Sequence, residues 1–90
     1  MGKPAINNDA MEFIETCQKT LPPVLAREEV HKRLGGVVSS KTLANYDRLG
    51  KGPEVAFTVG RKVVYKTDSL LTWVATTLGI SRHVSNIKNL

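Results

Sequence analysis

Little in this sequence can cross-link, span a membrane or do covalent chemistry. Cys17 is its one cysteine, so no internal disulfide can form. The fold must stand on packing alone, which suits a reducing cytoplasm. One Trp, two Tyr and two Phe leave few large anchors in 90 residues, and a chain of this size builds only a modest core. No apolar run is long enough to cross a bilayer, and no basic stretch followed by an apolar block opens the chain. Neither a membrane span nor a secretory leader is therefore expected. There is no paired-carboxylate, nucleophile–base or phosphate-loop signature, so neither enzymatic activity nor a cofactor is expected. His31 and His83 lack metal-ligand partners at useful spacing, and Cys17 falls on an apolar helical stripe, so no metal is expected. Internal repeats and low-complexity segments are absent too.

What is present is positive charge, unevenly placed. The chain carries a net +5. Residues 1–30 hold Lys3, Lys19 and Arg27 against Asp9, Glu12, Glu15, Glu28 and Glu29, a net −2. Residues 31–66 hold eight Lys or Arg against Asp47 and Glu54, a net +6. A basic block of this kind suits a polyanionic partner, because each cation set against a phosphate releases counterions. A surface that is merely well solvated accounts for the charge equally well.

Hydrophobic residues make up 41% of the chain, normal for a folded domain, and their spacing predicts four helices and a hairpin. Residues 1–8 read as a lead-in, with Asn8 or Asp9 capping a helix from Ala10 to Thr20. Met11, Ile14, Cys17 and Leu21 form its apolar stripe, with Phe13 beside them. Pro22 and Pro23 end it. A second helix runs from Arg27 to Leu34, with Glu28 and Glu29 in its first turn and Lys32 and Arg33 in its last, matching the helix dipole. Gly35 and Gly36 stop it. Ser39 caps a third helix, Ser40 to Leu49. Val55, Phe57 and Val59 then alternate, Gly60-Arg61 makes a two-residue turn, and Val63 and Tyr65 alternate on the return, which predicts a β-hairpin. Thr67 or Asp68 caps a fourth helix, Ser69 to Leu78, with Leu70, Trp73, Val74, Thr77 and Leu78 facing inward. Val84, Ile87 and Leu90 are spaced for a further helical turn.

The third helix separates two faces. At about 100° per residue, Leu43 and Tyr46 share one side, which Leu49 continues. Lys41, Asn45 and Arg48 gather opposite, with the small Ala44 close by. Asn pairs bidentately with adenine, and Arg or Lys with guanine, across the major groove. Ser39, Ser40 and Thr42 lie at the helix N-terminus, where hydroxyls and free N–H groups bind phosphate. Arg61 and Lys62 occupy the hairpin tip and Lys66 its base, placed to grip a neighbouring backbone or minor groove. Each pattern also has a plain reading: exposed helix faces are polar, and charged hairpin tips keep a protein soluble. Tyr46 and Trp73 read as core anchors before they read as contacts.

In order, the chain shows Leu25-Ala26-Arg27-Glu28-Glu29-Val30, Leu34-Gly35, Ser39 to Leu43, Gly50-Lys51-Gly52-Pro53, Val59-Gly60-Arg61-Lys62-Val63-Val64-Tyr65 and Leu70-Leu71-Thr72-Trp73-Val74. This set resembles the small winged-helix domains of phage and mobile-element excisionases, related to the MerR-type DNA-binding domain. The resemblance spans Leu25 to Leu78. It implies a mainly α fold with a β-hairpin wing, a winged helix-turn-helix whose third helix enters the major groove while the wing contacts the adjacent minor groove or backbone. It places Lys41, Thr42, Asn45 and Arg48 near double-stranded DNA, with Arg61 and Lys62 on the wing. It further implies a role in DNA recombination, binding and bending DNA beside an integrase or further copies of the same chain. Two departures stand out. Ala26 occupies the cap position where such domains carry Ser or Thr, and two glycines and two valines lengthen the turn between the helices.

The organisation expected is therefore an N-terminal helix and linker (1–24), the DNA-binding domain (25–78) and a polar tail (79–90). A small transcriptional regulator built on the same domain is the nearest alternative. A protein-interaction module docking through the acidic first helix is the alternative from another class.

Overall fold

Asn7 starts the first helix, its side-chain oxygen accepting from the Ala10 N–H at 2.7 Å. Helix α1 spans Asn8–Gln18, so the cap lies one residue before the expected Asn8 or Asp9. Asp9 is thereby free to bond the Arg82 backbone N–H at 3.0 Å. The computed structural model describes residues 6–83. The turn expected around Val84, Ile87 and Leu90 lies outside the described residues, as does the start of the lead-in.

Pro22 and Pro23 do more than stop α1. They set the chain extended, and strand β1 (Val24–Ala26) follows directly. This strand is a correction to the expected simple lead-in. Three residues are too few for periodicity to reveal. The Pro22 and Pro23 carbonyls accept from Thr67 Oγ1 at 2.5 Å and from the Thr67 N–H at 2.9 Å. Thr67 is thus buried as a tie between segments instead of serving as a helix cap.

Helix α2 (Arg27–Arg33) has Ala26 at its cap position with no side-chain bond, as its residue type implies. Helix α3 (Ser40–Arg48) is capped by Ser39, whose Oγ accepts from the Thr42 N–H at 3.1 Å. Both helices close in the same way. Gly36 N–H returns to the His31 carbonyl and Gly35 N–H to that of Lys32, while Lys51 N–H returns to Tyr46 and Gly50 N–H to Asp47. These are Schellman closures, which need a left-handed residue just past the helix. Gly35 and Gly50 supply it with φ of 66° and 73°.

Strands β2 (Ala56–Val59) and β3 (Lys62–Lys66) form the expected hairpin. Val59 pairs with Lys62, which leaves Gly60-Arg61 as the turn. Strand β1 adds antiparallel to the other side of β3, giving the order β1-β3-β2. The described residues thus form four helices and a three-stranded antiparallel sheet, a mixed α and β arrangement. The mainly α expectation undercounts the sheet by one strand.

Helix α4 (Thr67–Trp73) begins two residues before the expected start and runs into a π-helical turn, Val74–Leu78. Thr76 Oγ1 bonds back to the Thr72 carbonyl at 3.0 Å within it. The wider turn alters the phase of the face, so Thr77 and Leu78 end exposed instead of inward. Leu71 is fully buried along with Leu70. The core gathers Leu25, Val30, Leu34, Leu43, Tyr65 and Leu70 with Val38, Leu71, Trp73 and Val74. Helix α1 packs on α4, and Phe13, Ile14, Cys17 and Leu21 close over the same core. Met11, expected on that stripe, is exposed. No helix among the described residues is long and apolar enough to cross a membrane.

Candidate nucleic-acid interface

Helix α3 is fixed by packing below and by a polar clamp at its end. Leu43 is fully buried, a contribution of about 1.5–3 kcal/mol. Tyr46 lies half-buried, edge-on to Trp73 with ring centroids 5.3 Å apart. Trp73 donates its indole N–H to the Lys51 carbonyl at 2.8 Å, so both aromatics are structural anchors, as their positions in the sequence suggest. Leu49 departs from the expected stripe and is 66% exposed. It falls at the C-cap, where the chain is already turning away.

The clamp is a three-residue network that periodicity does not reveal. Arg27 Nη2 contacts Asp47 Oδ2 at 2.6 Å, and the Tyr65 hydroxyl donates to the same oxygen at 2.5 Å. Arg27 Nε also donates to the Tyr65 hydroxyl at 2.9 Å. The start of α2, the end of α3 and β3 are therefore joined at one carboxylate. Burial and the adjacent Asp47 push the Tyr65 hydroxyl up to about 12. Gly52 permits the geometry, because a Cβ there would fall on Asp47 Oδ1. The three residues lie far apart in sequence. The one early signal is Asp47 itself, an acid in a basic helix.

With α3 so held, Lys41 and Arg48 are exposed and Asn45 is half-buried on the face turned from the core. Arg48 Nη2 donates to Asn45 Oδ1 at 2.9 Å, so these two side chains act as a pair. Ser40 is exposed at the first helical position, while Ser39 and Thr42 are turned to the cap. Ser39 Oγ donates to Thr42 Oγ1 at 3.0 Å. Their hydroxyls order the helix end and are less available to a phosphate than their sequence positions suggest.

Arg61 sits exposed in the hairpin turn. Lys62 is not free: its Nζ meets Glu28 Oε2 at 2.5 Å, with both side chains 59% exposed. An exposed pair of this kind is worth at most about 1 kcal/mol, so a phosphate can compete for the lysine. The α3 group and the hairpin group lie on separate elements and share no hydrogen bond or ion pair among the described residues. They are connected indirectly, through Tyr65 on β3 and Asp47 on α3.

The acidic end is partly neutralised. Arg82 reaches Asp9 at 3.1 Å and Glu12 at 2.5 Å. An open cleft between loop 50–55 and α4 is lined by Lys51 and Lys66 but also by Glu54 and Asp68, so it has no charge preference for an anion. Burial pushes the Cys17 thiol up, which disfavours the reactive thiolate. Among the described residues no three His, Cys, Asp or Glu side chains gather as a metal site. No family model, characterised protein or solved structure matches this chain.

Proposed function

We propose that this protein binds double-stranded DNA, with α2 and α3 as a helix-turn-helix and the β2–β3 hairpin as a wing. The observation that carries the reading is the outward face of α3. Lys41, Asn45 and Arg48 lie together on a helix capped at one end by Ser39 and clamped at the other by Asp47. A rigid helix presenting an amide and two cations suits base-edge contacts in a major groove. Arg61 and Lys62 at the hairpin tip suit the backbone or minor groove alongside. The net +6 of residues 31–66 supplies attraction that does not depend on sequence.

Likeness to excisionases extends the proposal to a recombination role, in which the protein bends DNA beside an integrase or further copies of itself. Transcriptional control by the same contacts is the second form of the reading. Selection from a random duplex library tests the shared core. Enrichment of a short consensus that is lost in the Asn45→Ala and Arg48→Ala variants is expected. Failure to enrich any sequence would contradict a recognition role for α3.

A further inference from the structure

Strand β2 wears its apolar residues on the wrong side. Leu25 and Tyr65 are the buried residues of the sheet and are Cα partners, and Tyr65 also pairs with Ala56. Because side chains alternate along a strand, Ala56, Thr58 and Val63 share the core side with them. Phe57 and Val59 therefore lie on the outer side, where they are 49% and 60% exposed. Val24 joins them at 45%.

The pairing register orders this outer face into rows. Val59 lies opposite Lys62, Phe57 lies opposite Val64 with Ala26 beyond, and Val24 lies opposite Lys66. The result is an apolar strip with a lysine at either end and Arg61 at the adjoining tip. Its rows contain no carboxylate. At the tip end Glu28 is held by Lys62 at 2.5 Å, and at the other end Lys66 borders a cleft also lined by Glu54 and Asp68. Contiguous exposed apolar residues rimmed by charge are a feature of many binding surfaces.

Its charge argues for one occupant. A two-fold dimer uses the same patch on both copies, so pairing through this face would bring four lysines together. Duplex DNA instead offers phosphates to the lysines and sugars and base edges to the ring, and Phe is among the side chains that press into minor-groove steps. Resting on the DNA-binding reading above, we propose that the outer sheet face is a second DNA contact, with Phe57 as its apolar element and Lys62 and Lys66 on flanking phosphates.

The test uses the full chain and a labelled mixed-sequence duplex, with affinity measured over a range of salt. Phe57→Ala is expected to weaken binding about tenfold, the order of removing part of the burial of one aromatic side chain, and to leave the salt slope unchanged. Phe57→Leu is expected to recover most of that loss. Lys66→Gln is expected to lower the slope by about one. Since Phe57 is half exposed, the thermal midpoint of Phe57→Ala serves as a folding control and is expected to stay near the parent value. Parent-like DNA affinity in Phe57→Ala overturns this proposal alone. So does a parent dimer that Phe57→Ala dissociates without loss of DNA affinity. A parent chain that shows no salt-dependent binding overturns the DNA reading as well.

Discussion

Arg27 and Asp47 meet at 2.6 Å, one at the first residue of α2 and the other near the end of α3. Each side chain is about one-quarter exposed (26% and 24%), so the pair is neither a surface decoration nor a fully buried ion pair. It ties the two helices together and, through Tyr65, joins them to the hairpin.

Removing the carboxylate should cost more than removing the hydroxyl. Asp47→Ala leaves the Arg27 guanidinium and the Tyr65 hydroxyl without their acceptor, for a loss of about 1–3 kcal/mol. Tyr65→Phe removes one neutral donor from the network and should cost about 1 kcal/mol. Gly52→Ala should destabilise through the same carboxylate, since its Cβ would displace Asp47. Urea unfolding measures all three. Equal midpoints for Asp47→Ala and the parent would show that the clamp contributes nothing.

Alkaline stability should reflect Tyr65. Its hydroxyl is raised from 10.0 to about 12, first by burial and then by Asp47. Above pH 10 the unfolded chain loses this proton while the folded chain retains it, so the unfolded state binds fewer protons and stability falls as pH rises. The contribution is fully present below pH 10 and is lost as pH climbs through about 12. Tyrosinate absorbance should show a late-titrating group that disappears in Tyr65→Phe. A late group that persists in the variant would assign the shift elsewhere.

The cap of α3 can be tested without touching its outward face. Ser39→Ala removes the acceptor for the Thr42 N–H and should cost about 1 kcal/mol. Ser39→Asp supplies another acceptor and places negative charge where the helix dipole favours it, so stability should return. Any loss of DNA affinity in Ser39→Asp would then reflect repulsion at the helix end instead of a frayed helix. Chemical unfolding and DNA titration of both variants separate the two effects.

Base reading and backbone grip should come apart on mutation. Asn45→Ala and Arg48→Ala should each cost about 1–3 kcal/mol at the preferred site and relax its sequence preference. Their effects should not add, because Arg48 bonds Asn45 directly. Arg61→Ala should weaken binding to every sequence alike and reduce the salt slope by about one. Competition between preferred and scrambled duplexes checks all three variants.

Much of the frame is legible from local chemistry. Ser39 as a cap, glycines closing α2 and α3, and Gly60-Arg61 as the hairpin turn each follow from a residue type whose backbone preference acts within a few positions. What escapes notice is non-local or short. Strand β1 has three residues and exists because β3 offers an edge to pair with. The Arg27–Asp47–Tyr65 clamp joins residues 18 to 38 positions apart. Leu49 is apolar and in phase, yet the helix ends just before it. The outer face of the sheet follows from the hairpin alone: a two-residue turn that pairs Val59 with Lys62 puts Phe57 and Val59 on the face opposite to Val63 and Tyr65. The candidate contacts on α3 follow from the helical period, whereas the diversion of Lys62 to Glu28 depends on the folded chain.

The salt dependence of binding to duplex DNA tests the central claim most directly. With Lys41 and Arg48 in the groove and Arg61, Lys62 and Lys66 near phosphates, the logarithm of the binding constant should fall linearly with the logarithm of salt concentration, with a slope between about −3 and −5. No binding at low salt, or a slope near zero, would contradict the account.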